Sequence, residues 1–384
     1  MSSLAVAAPS DPLLDVQVFA VELDAWLASG PGCVRAVGLP IRSYPERVAA
    51  MADLMGGLFE AGWSRYGWPI ELGGLGGTVL HRAAMWEALA RHGVHSMALF
   101  EHLEILAPTL AAKGSRPFIA QALPAFLSGR ERWAQGFSEP DAGSDLASIR
   151  TVAARVDDGY VITGRKIWTS WARYATWCLL LARTGPPDSR HRGLTAFVVD
   201  LRGAGIAVRP IEQANGTDEL AEVAFDEVHV GADCIVGEVG GGWQIAMQIL
   251  GNERGTFAWF RHCFLYQHLL SSLPTGHEQH DTALGTALLD LAAVTATSHA
   301  AVQAHAAGAP LGPRAAFTKL LLCAAEQSVH DWILANDSDL AVGVQSDDVA
   351  VRRQEYLFSR IVTVYGGSQQ MQLETIAKQI LRLP

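Results

Sequence analysis

Basic charge is scarce in this chain of 384 residues: 29 Lys and Arg face 39 Asp and Glu, for a formal net charge of −10. No basic block offsets that balance, so the electrostatic footprint of a nucleic-acid binder is missing. Cysteine is scarce as well. The five residues Cys33, Cys178, Cys234, Cys263 and Cys323 are scattered, odd in number and never in a CxxC pair. That argues against a disulfide framework or a zinc site of paired thiolates, and for a reducing compartment. No apolar run reaches the ~18–20 residues needed to span a bilayer. The N-terminus "MSSLAVAAPSDPLLD" lacks a basic segment and meets Asp11 and Pro12 early, so it does not read as a signal peptide. These absences predict a cytoplasmic protein without a membrane span.

Familiar ligand motifs are missing too. "HEQHD" (His277 to Asp281) spaces its histidines three apart rather than four, so they would not share a helical face as in HExxH; no metal is expected. "GGLGG" (Gly73 to Gly77) and "GGG" (Gly240 to Gly242) each precede a helical pattern, but neither fits GxGxxG or a phosphate-binding loop with its Lys.

What the chain does have is apolar bulk and a change of texture along its length. Hydrophobic residues make up 49% and charged residues 18%, the balance of a packed globular protein long enough for two or three domains. The first third reads as helix. In "PLLDVQVFAVELDAWLASG" the residues Val16, Phe19, Leu23, Trp26 and Leu27 recur at helical steps. "YPERVAAMADLMGGLFEAG", "TVLHRAAMWEALARHG" and "RPFIAQALPAFLSG" read likewise, with the Gly- and aromatic-rich "GWSRYGWPIELGGLGG" as an ordered loop between them. Near Trp133 the pattern turns to strand. "TVAARVDDGYVITGRKIWTS" is a hairpin about Asp157-Asp158-Gly159, followed by "CLLLART", "LTAFVVD", "GIAVRPIE" and "AEVAFDEVHV". From Gly240 the pattern is helical again, beginning with "GWQIAMQILGNERGTFAWFRHCFLYQHLL"; "SLPTGHEQHD" and "NDSDLAVGVQSDD" read as exposed loops. Strands do not alternate with helices, which disfavours a doubly wound sheet. The expected domains are residues 1–129 (helical), 130–236 (β) and 237–384 (helical).

Three stretches stand out chemically. "GFSEPDAGSDLAS" (Gly136 to Ser148) crowds small, hydroxylic and acidic residues around Pro140, Gly143 and Ser144 with no hydrophobic period. Such a loop can bring several N–H groups and hydroxyls against a polar ligand, or be a capped turn. "GRKIWTSWARYATW" carries Trp168 and Ser170 out of the hairpin, where a Trp is commonly core. "VYGGSQQMQLETIAKQILRLP" sets a glycine turn before a last helix, with Ser368 placed to cap it.

Taken in this order, the three motifs resemble the acyl-CoA dehydrogenase family, and the similarity runs from "GWPIELGGLGG" to the terminal "LRLP". The resemblance implies an α+β multidomain fold: an N-terminal α-helical domain, a middle β-barrel and a C-terminal four-helix bundle. It implies FAD bound in extended form across a subunit interface. Phe137, Ser138, Gly143 and Ser144 would line the flavin and the substrate thioester, Trp168 would pack on the isoalloxazine, and Ser170 would bond near flavin N5. Ser368 and Gln370 match positions that touch FAD in relatives. The implied reaction takes two hydrogens from an acyl thioester of coenzyme A or a carrier protein, the α-hydrogen as a proton to a carboxylate and the β-hydrogen as a hydride to N5. An electron-transferring flavoprotein is the implied acceptor. The thioester carbonyl would be polarised by the N–H of Gly366, where enolate charge develops.

Many members of the family carry the base within the terminal turn, as Tyr-Glu-Gly; this chain has Tyr365-Gly366-Gly367 instead. A second branch, isovaleryl- and long-chain-like, places the base on a bundle helix directly before an Arg, the position of Glu253 and Arg254 here. The helical pattern agrees. Ile245, Ile249, Thr256, Phe257, Phe260 and Phe264 trace one stripe, and Glu253 falls on it. Burial raises the pKa of a lone carboxyl and makes it a stronger base near neutral pH. Arg254, about 100° around the helix, need not pair with Glu253; it could orient the site or meet substrate phosphate. A structural ion pair between the two is the plainer alternative.

The chain departs from the family pattern in two places. "HLLSSLPTGHEQHDTALG" has no Arg followed shortly by Phe-Gly, which in relatives reaches the pyrophosphate of a neighbour's FAD, and "DWILANDSDLAVGVQSDD" does not match the family's Gln…Gly-Gly…Gly loop, which contacts the neighbour's adenosine. The resemblance implies a homo- or hetero-oligomer, a dimer or tetramer; bacterial branches with these departures include hetero-oligomers in which a paralogous subunit completes the FAD site, so the chain is expected either to bind FAD weakly alone or to depend on such a partner. Two other readings stand beside the dehydrogenase: a flavin monooxygenase on the same fold, and a non-catalytic subunit of a hetero-oligomeric dehydrogenase.

Overall fold

The computed structural model describes residues 14–37, 43–94, 98–273, 281–343 and 346–384. The chain divides into two compact units, one from Met1–Met97 with Gly251–Pro384 and the other from Ala98–Leu250. Along the sequence, helices come first, then strands, then helices again, as the texture predicts. The leading helices are α1 (Val16–Ala28), α2 (Gly32–Val37), α3 (Tyr44–Glu60), α4 (Val79–Arg91), α5 (Ala98–Ile105), α6 (Ala107–Lys113) and α7 (Arg116–Leu127). The strands are β1 (Trp133–Gly136), β2 (Val152–Val156), β3 (Gly159–Ser170), β4 (Trp177–Arg183), β5 (Leu194–Asp200), β6 (Ile206–Pro210), β7 (Leu220–Gly231) and β8 (Ile235–Val236). Then come α8 (Gly242–Arg254), α9 (Thr256–Ser271), α10 (Thr282–Ala306), α11 (Ala315–Asn336), α12 (Ser338–Ala341), α13 (Asp347–Phe358) and α14 (Gln369–Thr375).

The first helix forms on the stripe read from the sequence: Phe19, Leu23 and Leu27 are fully enclosed, with Val16 and Trp26 at its margins. Asp15 caps it through the Gln17 N–H at 2.8 Å, and Ser43 with Glu46 forms a reciprocal capping box at the start of α3. Three helices, α2, α5 and α6, lie where no helical period was legible. At six, eight and seven residues they are too short to repeat a stripe.

Two further differences have local causes. The segment "GWQIAMQILGNERGTFAWFRHCFLYQHLL" reads as one helix, but the structure breaks it at Gly255 (φ −104°, ψ −85°). A Cβ there would lie 2.8 Å from Leu311 Cδ1 and 3.0 Å from the Gly251 carbonyl, so a side chain at the break fits only if Leu311 gives way. "NDSDLAVGVQSDD" reads as a loop, yet Asp337 caps the one-turn α12 at the Leu340 N–H (3.0 Å) and Ser346 caps α13. His277, Glu278, Gln279 and His280 of "HEQHD" lie outside the described residues; Asp281 caps α10 and accepts a bond from Trp332 Nε1 at 2.6 Å.

The strands form a single sheet in the order β6-β7-β3-β2-β4-β5-β8, with β1 parallel to β4. The predicted hairpin is there: β2 and β3 pair from Val152↔Thr163 to Val156↔Gly159, turning at Asp157-Asp158. The two halves of the sheet, β6-β7-β3-β2 and β4-β5-β8, are joined in the ladder by the single pair Val152↔Arg183. The sheet is rolled. Tyr160 of β3 and Phe197 of β5 meet with ring centroids 5.2 Å apart, although three strand spacings of ~4.8 Å each separate their strands along the sheet. One enclosed core therefore gathers Tyr160, Ile162, Leu180, Phe197, Val223 and Phe225 from both halves, as a barrel-like middle domain requires.

In the other unit, α9, α10 and α11 share a core of Leu265, Leu269, Leu291, Val294, Leu322, Val329 and Trp332, which Leu340 of α12 and Val349 of α13 complete. This is the expected C-terminal bundle. Among the described residues, no helix is long and apolar enough to cross a membrane.

Candidate active site

In the unit of Met1–Met97 and Gly251–Pro384, the last turn of α8 meets the turn before α14. Gly366 and Gly367 both have positive φ, +65° and +90°, a region that a side chain rarely tolerates. A Cβ built on Gly366 would lie 2.6 Å from Glu253 Oε1 and 3.1 Å from its Cδ. The Glu253 carboxylate thus fills the space that a side chain at Gly366 would enter. Arg254 makes no ion pair with it; instead its Nε donates to the Gly366 carbonyl at 2.7 Å. Gln372 Nε2 donates to the next carbonyl, that of Gly367, at 2.8 Å. Both glycine carbonyls are held by side chains, while the Gly366 N–H donates to no acceptor among the described residues.

Burial pushes the Glu253 carboxyl above its ordinary value, and the positive charges of Lys319 and Arg254 oppose that rise without cancelling it. Part of the residue's surface stays accessible, so the carboxyl group is enclosed but reachable. Behind the turn, the Lys319 ammonium sits 3.8 Å from the centroid of the Tyr365 ring.

In the unit of Ala98–Leu250, a second set of predicted residues comes together about β3. The strand is bulged between Lys166↔Val223 and Thr169↔Ala221, so Ile167 and Trp168 together face Glu222. Trp168 has φ +58° and is 55% exposed. A bulky residue in that backbone region costs about 1–2 kcal/mol, and the indole gains no burial for it. Trp168 is therefore not core, the common place for a Trp in such a strand. The Ser170 hydroxyl makes no hydrogen bond among the described residues, and the enclosed Thr169 Oγ1 lacks a partner.

The "GFSEPDAGSDLAS" loop is bolted to the same strand by residues that the sequence reading passed over. Lys166, wholly buried, donates to Glu139 Oε1 at 2.8 Å and to the Phe137 carbonyl at 2.9 Å. Glu139 also accepts from the N–H groups of Arg150 (2.6 Å) and Thr151 (2.9 Å). Burial pushes the Glu139 carboxyl up, but the ammonium and these donors outweigh it and hold it below the ordinary range. Burial draws Lys166 down to about 8, with Glu139 working against that fall. The pair is ionised at neutral pH. Its signal in the sequence is a lysine on the inward phase of an alternating strand, matched by an acid in the loop before it.

The Ile167 N–H donates to the Ser138 carbonyl at 3.0 Å, so Phe137 and Ser138 run beside the bulge. Gly143 and Ser144 are exposed beyond the Glu139–Ala142 turn, and a Cβ at Gly143 would meet nothing within 4 Å. Ser368 uses its hydroxyl to cap the Met371 N–H at 3.3 Å, and Gln370 is exposed on the first turn of α14; neither bonds to Glu253 or Arg254. An outward indole, free hydroxyls and open space at the loop fit a planar aromatic cofactor. Among the described residues, no three His, Cys, Asp or Glu side chains gather as a metal site would need.

Comparison with known proteins sets the class. The models for the acyl-CoA dehydrogenase N-terminal and middle domains match residues 39–130 and 134–228. The chain is 33% identical to acyl-CoA dehydrogenase IpdE1 of Mycobacterium tuberculosis over 96% of its own length and 98% of that protein. It belongs to the acyl-CoA dehydrogenase family and is an enzyme of the flavin oxidoreductase type.

Among solved structures, its fold matches the Tcur3481-Tcur3483 steroid acyl-CoA dehydrogenase with a TM-score of 0.81 at 23% identity, covering 97% of this chain and 99% of that one. It also matches the ChsE4-ChsE5 complex of Mycobacterium tuberculosis with a TM-score of 0.73 at 23% identity, covering 96% and 97%.

Proposed function

We propose that this protein dehydrogenates an acyl thioester to the 2,3-enoyl thioester, with Glu253 taking the α-proton. The observation that carries the reading is the Glu253 carboxylate lying over Gly366, at 2.6 Å from the Cβ position where many relatives have their base. Enclosure strengthens it as a base. The unengaged N–H of Gly366 receives the thioester oxygen, on which negative charge builds as the α-proton leaves. Arg254 holds that peptide by its carbonyl, fixing where the N–H stands. Trp168, Ser170, Phe137, Ser138, Gly143 and Ser144 would hold FAD, and Ser368 and Gln370 would contribute to binding it. When bound, FAD supplies the two-electron acceptor that removal of the β-hydrogen requires. Ser144 and Arg254 also meet the substrate, and an electron-transferring flavoprotein takes the electrons on.

The test is flavin quantitation on the purified protein, followed by an anaerobic panel of straight-chain, branched and polycyclic acyl-CoA thioesters and acyl-carrier-protein conjugates. Bleaching of the flavin without added reductase is the expected result, and Glu253→Gln should abolish it. A flavin that stays oxidised throughout, or a Glu253→Gln variant that bleaches at the parent rate, refutes the reading. The first of these outcomes would favour the monooxygenase.

A second reading concerns assembly. The missing Arg followed shortly by Phe-Gly, together with the two differently named chains of the similar Tcur3481-Tcur3483 and ChsE4-ChsE5 structures, supports a paralogous subunit that completes the FAD site. A homo-oligomer that purifies yellow with one flavin per chain would refute it.

A further inference from the structure

Lys319 is a cation where the bundle has no surface to offer it. It is 2% exposed on α11, and its ammonium lies against the Tyr365 ring at 3.8 Å. Tyr365 directly precedes Gly366, whose far side faces the Glu253 carboxylate. The ammonium and the carboxylate therefore flank the same two residues of one turn.

The surroundings form a sequence of alternating charges through the bundle. From α8, Glu253 and Arg254 act on Lys319; from α11 itself, Cys323 and Glu326 do; from the turn, the ring of Tyr365 receives it. Glu326 is bound in turn by both arms of the Arg261 guanidinium, which also reaches Glu355 at 3.1 Å, and His330 stands 3.6 Å from Glu326. Arg261 thus bridges Glu326 and Glu355. Of the carboxylates that act on Lys319, Glu253 is the one that stands at the Tyr365-Gly366 turn.

We propose that Lys319 is a positioning residue of the base: seated on the Tyr365 ring, its ammonium fixes the turn that carries Gly366 and supplies the counter-charge for the neighbouring Glu253 carboxylate. An isolated carboxyl in this enclosure takes up a proton too readily to begin the cycle as a base, whereas one beside a fixed cation does not. The ring matters as well, because it gives the ammonium a face to rest on without a hydrogen-bonded acceptor that would neutralise it. The inference rests on the reading of Glu253 as the base.

The experiment uses the flavin-loaded full chain, with any partner subunit it requires. The rate of anaerobic flavin reduction by the best acyl-CoA of the panel is followed against pH for the parent, Lys319→Met, Lys319→Gln, Lys319→Arg and Glu253→Gln. In Lys319→Met the acid limb should move to higher pH by about one unit, the low end of what a neighbouring opposite charge does. The rate below the limb then falls about tenfold. Lys319→Arg, which keeps the charge, should leave the limb in place. A purely structural lysine would lower the rate evenly across pH. A folded, flavin-loaded Lys319→Met with an unmoved limb overturns the proposal. Lys319→Gln takes its place if the Met variant does not fold. If neither neutral variant folds while Lys319→Arg does, the lysine serves the fold and the proposal is likewise overturned. Activity surviving in Glu253→Gln would instead sink the underlying assignment; an inactive Glu253→Gln beside an unmoved Lys319→Met limb sinks only this one.

Discussion

Gly366→Ala tests the arrangement at its tightest point. The new Cβ would sit 2.6 Å from Glu253 Oε1, where ordinary contact begins at 3.4 Å. The carboxylate must therefore retreat by the difference, 3.4 − 2.6 = 0.8 Å, or the turn must open by as much. A misplacement of about 1 Å at a reacting group costs on the order of a hundredfold in rate. Alanine at φ +65° adds about 1–2 kcal/mol of backbone strain, a modest loss for a folded chain of this size. The expected result is a protein that folds and binds flavin but reduces it about a hundredfold more slowly with acyl-CoA. Adding Glu253→Asp draws the carboxylate back by about one C–C bond and makes room for the methyl. The double variant should then fall well short of the product of the two single losses, as coupled neighbours do. The assay is stopped-flow flavin bleaching with flavin content and thermal unfolding as controls. A folded Gly366→Ala at the parent rate, or strictly multiplicative losses in the double variant, would refute the claim that Glu253 acts from over Gly366.

Two further outcomes follow from strain and burial. Trp168→Gly relieves a residue held at φ +58°; the flavin-free protein should gain about 1 kcal/mol in thermal unfolding while flavin affinity falls about tenfold or more, and a loss on both measures would show that the indole packs structurally. The Glu253 carboxyl is raised above its ordinary 4.5 by burial, so the folded state binds that proton more tightly than the unfolded chain. The parent's stability relative to Glu253→Gln is then unchanged below 4.5 and declines as pH rises through the raised value. Glu253→Gln should accordingly match the parent near about pH 5 and unfold at a higher temperature at about pH 8; a difference independent of pH would mean the carboxyl is not enclosed.

Much of this was legible in the sequence, and the exceptions share a cause. Amphipathic stripes and strand alternation located the long elements, because burial of one face is a one-dimensional pattern. The short helices α2, α5 and α6 escaped, since one or two turns cannot repeat a period. The break at Gly255 escaped for the opposite reason: the stripe of Ile249, Phe257 and Phe260 runs through it undisturbed, and Leu311, which crowds it, lies far along the chain. Pairing across the fold was the least visible. Lys166 looks in sequence like a charge misplaced on a buried strand, and it gains its meaning only from Glu139 in the loop before that strand.

Glu253 could be singled out as a candidate from the sequence, because the proposed reaction constrains where a carboxylate must be more tightly than it constrains which element carries it. A turn that lacks the acid, Tyr365-Gly366-Gly367, leaves a space whose chemistry still has to be supplied. The glycine that empties the turn is also what permits the replacement. With any Cβ at Gly366 the α8 carboxylate could not stand at 2.6 Å from that position. Gly366 and Glu253 are thus two sides of one substitution, and neither is intelligible alone. The same logic extends to Arg254. Placed one residue beyond the acid, it turns about 100° away from it and so reaches the Gly366 carbonyl instead of neutralising the base. A direct Arg–Glu hydrogen bond would have tied the carboxylate's lone pairs to the guanidinium and kept them from the substrate's proton. The direct bond to the turn lets the cation shape the site while the carboxyl keeps its raised value.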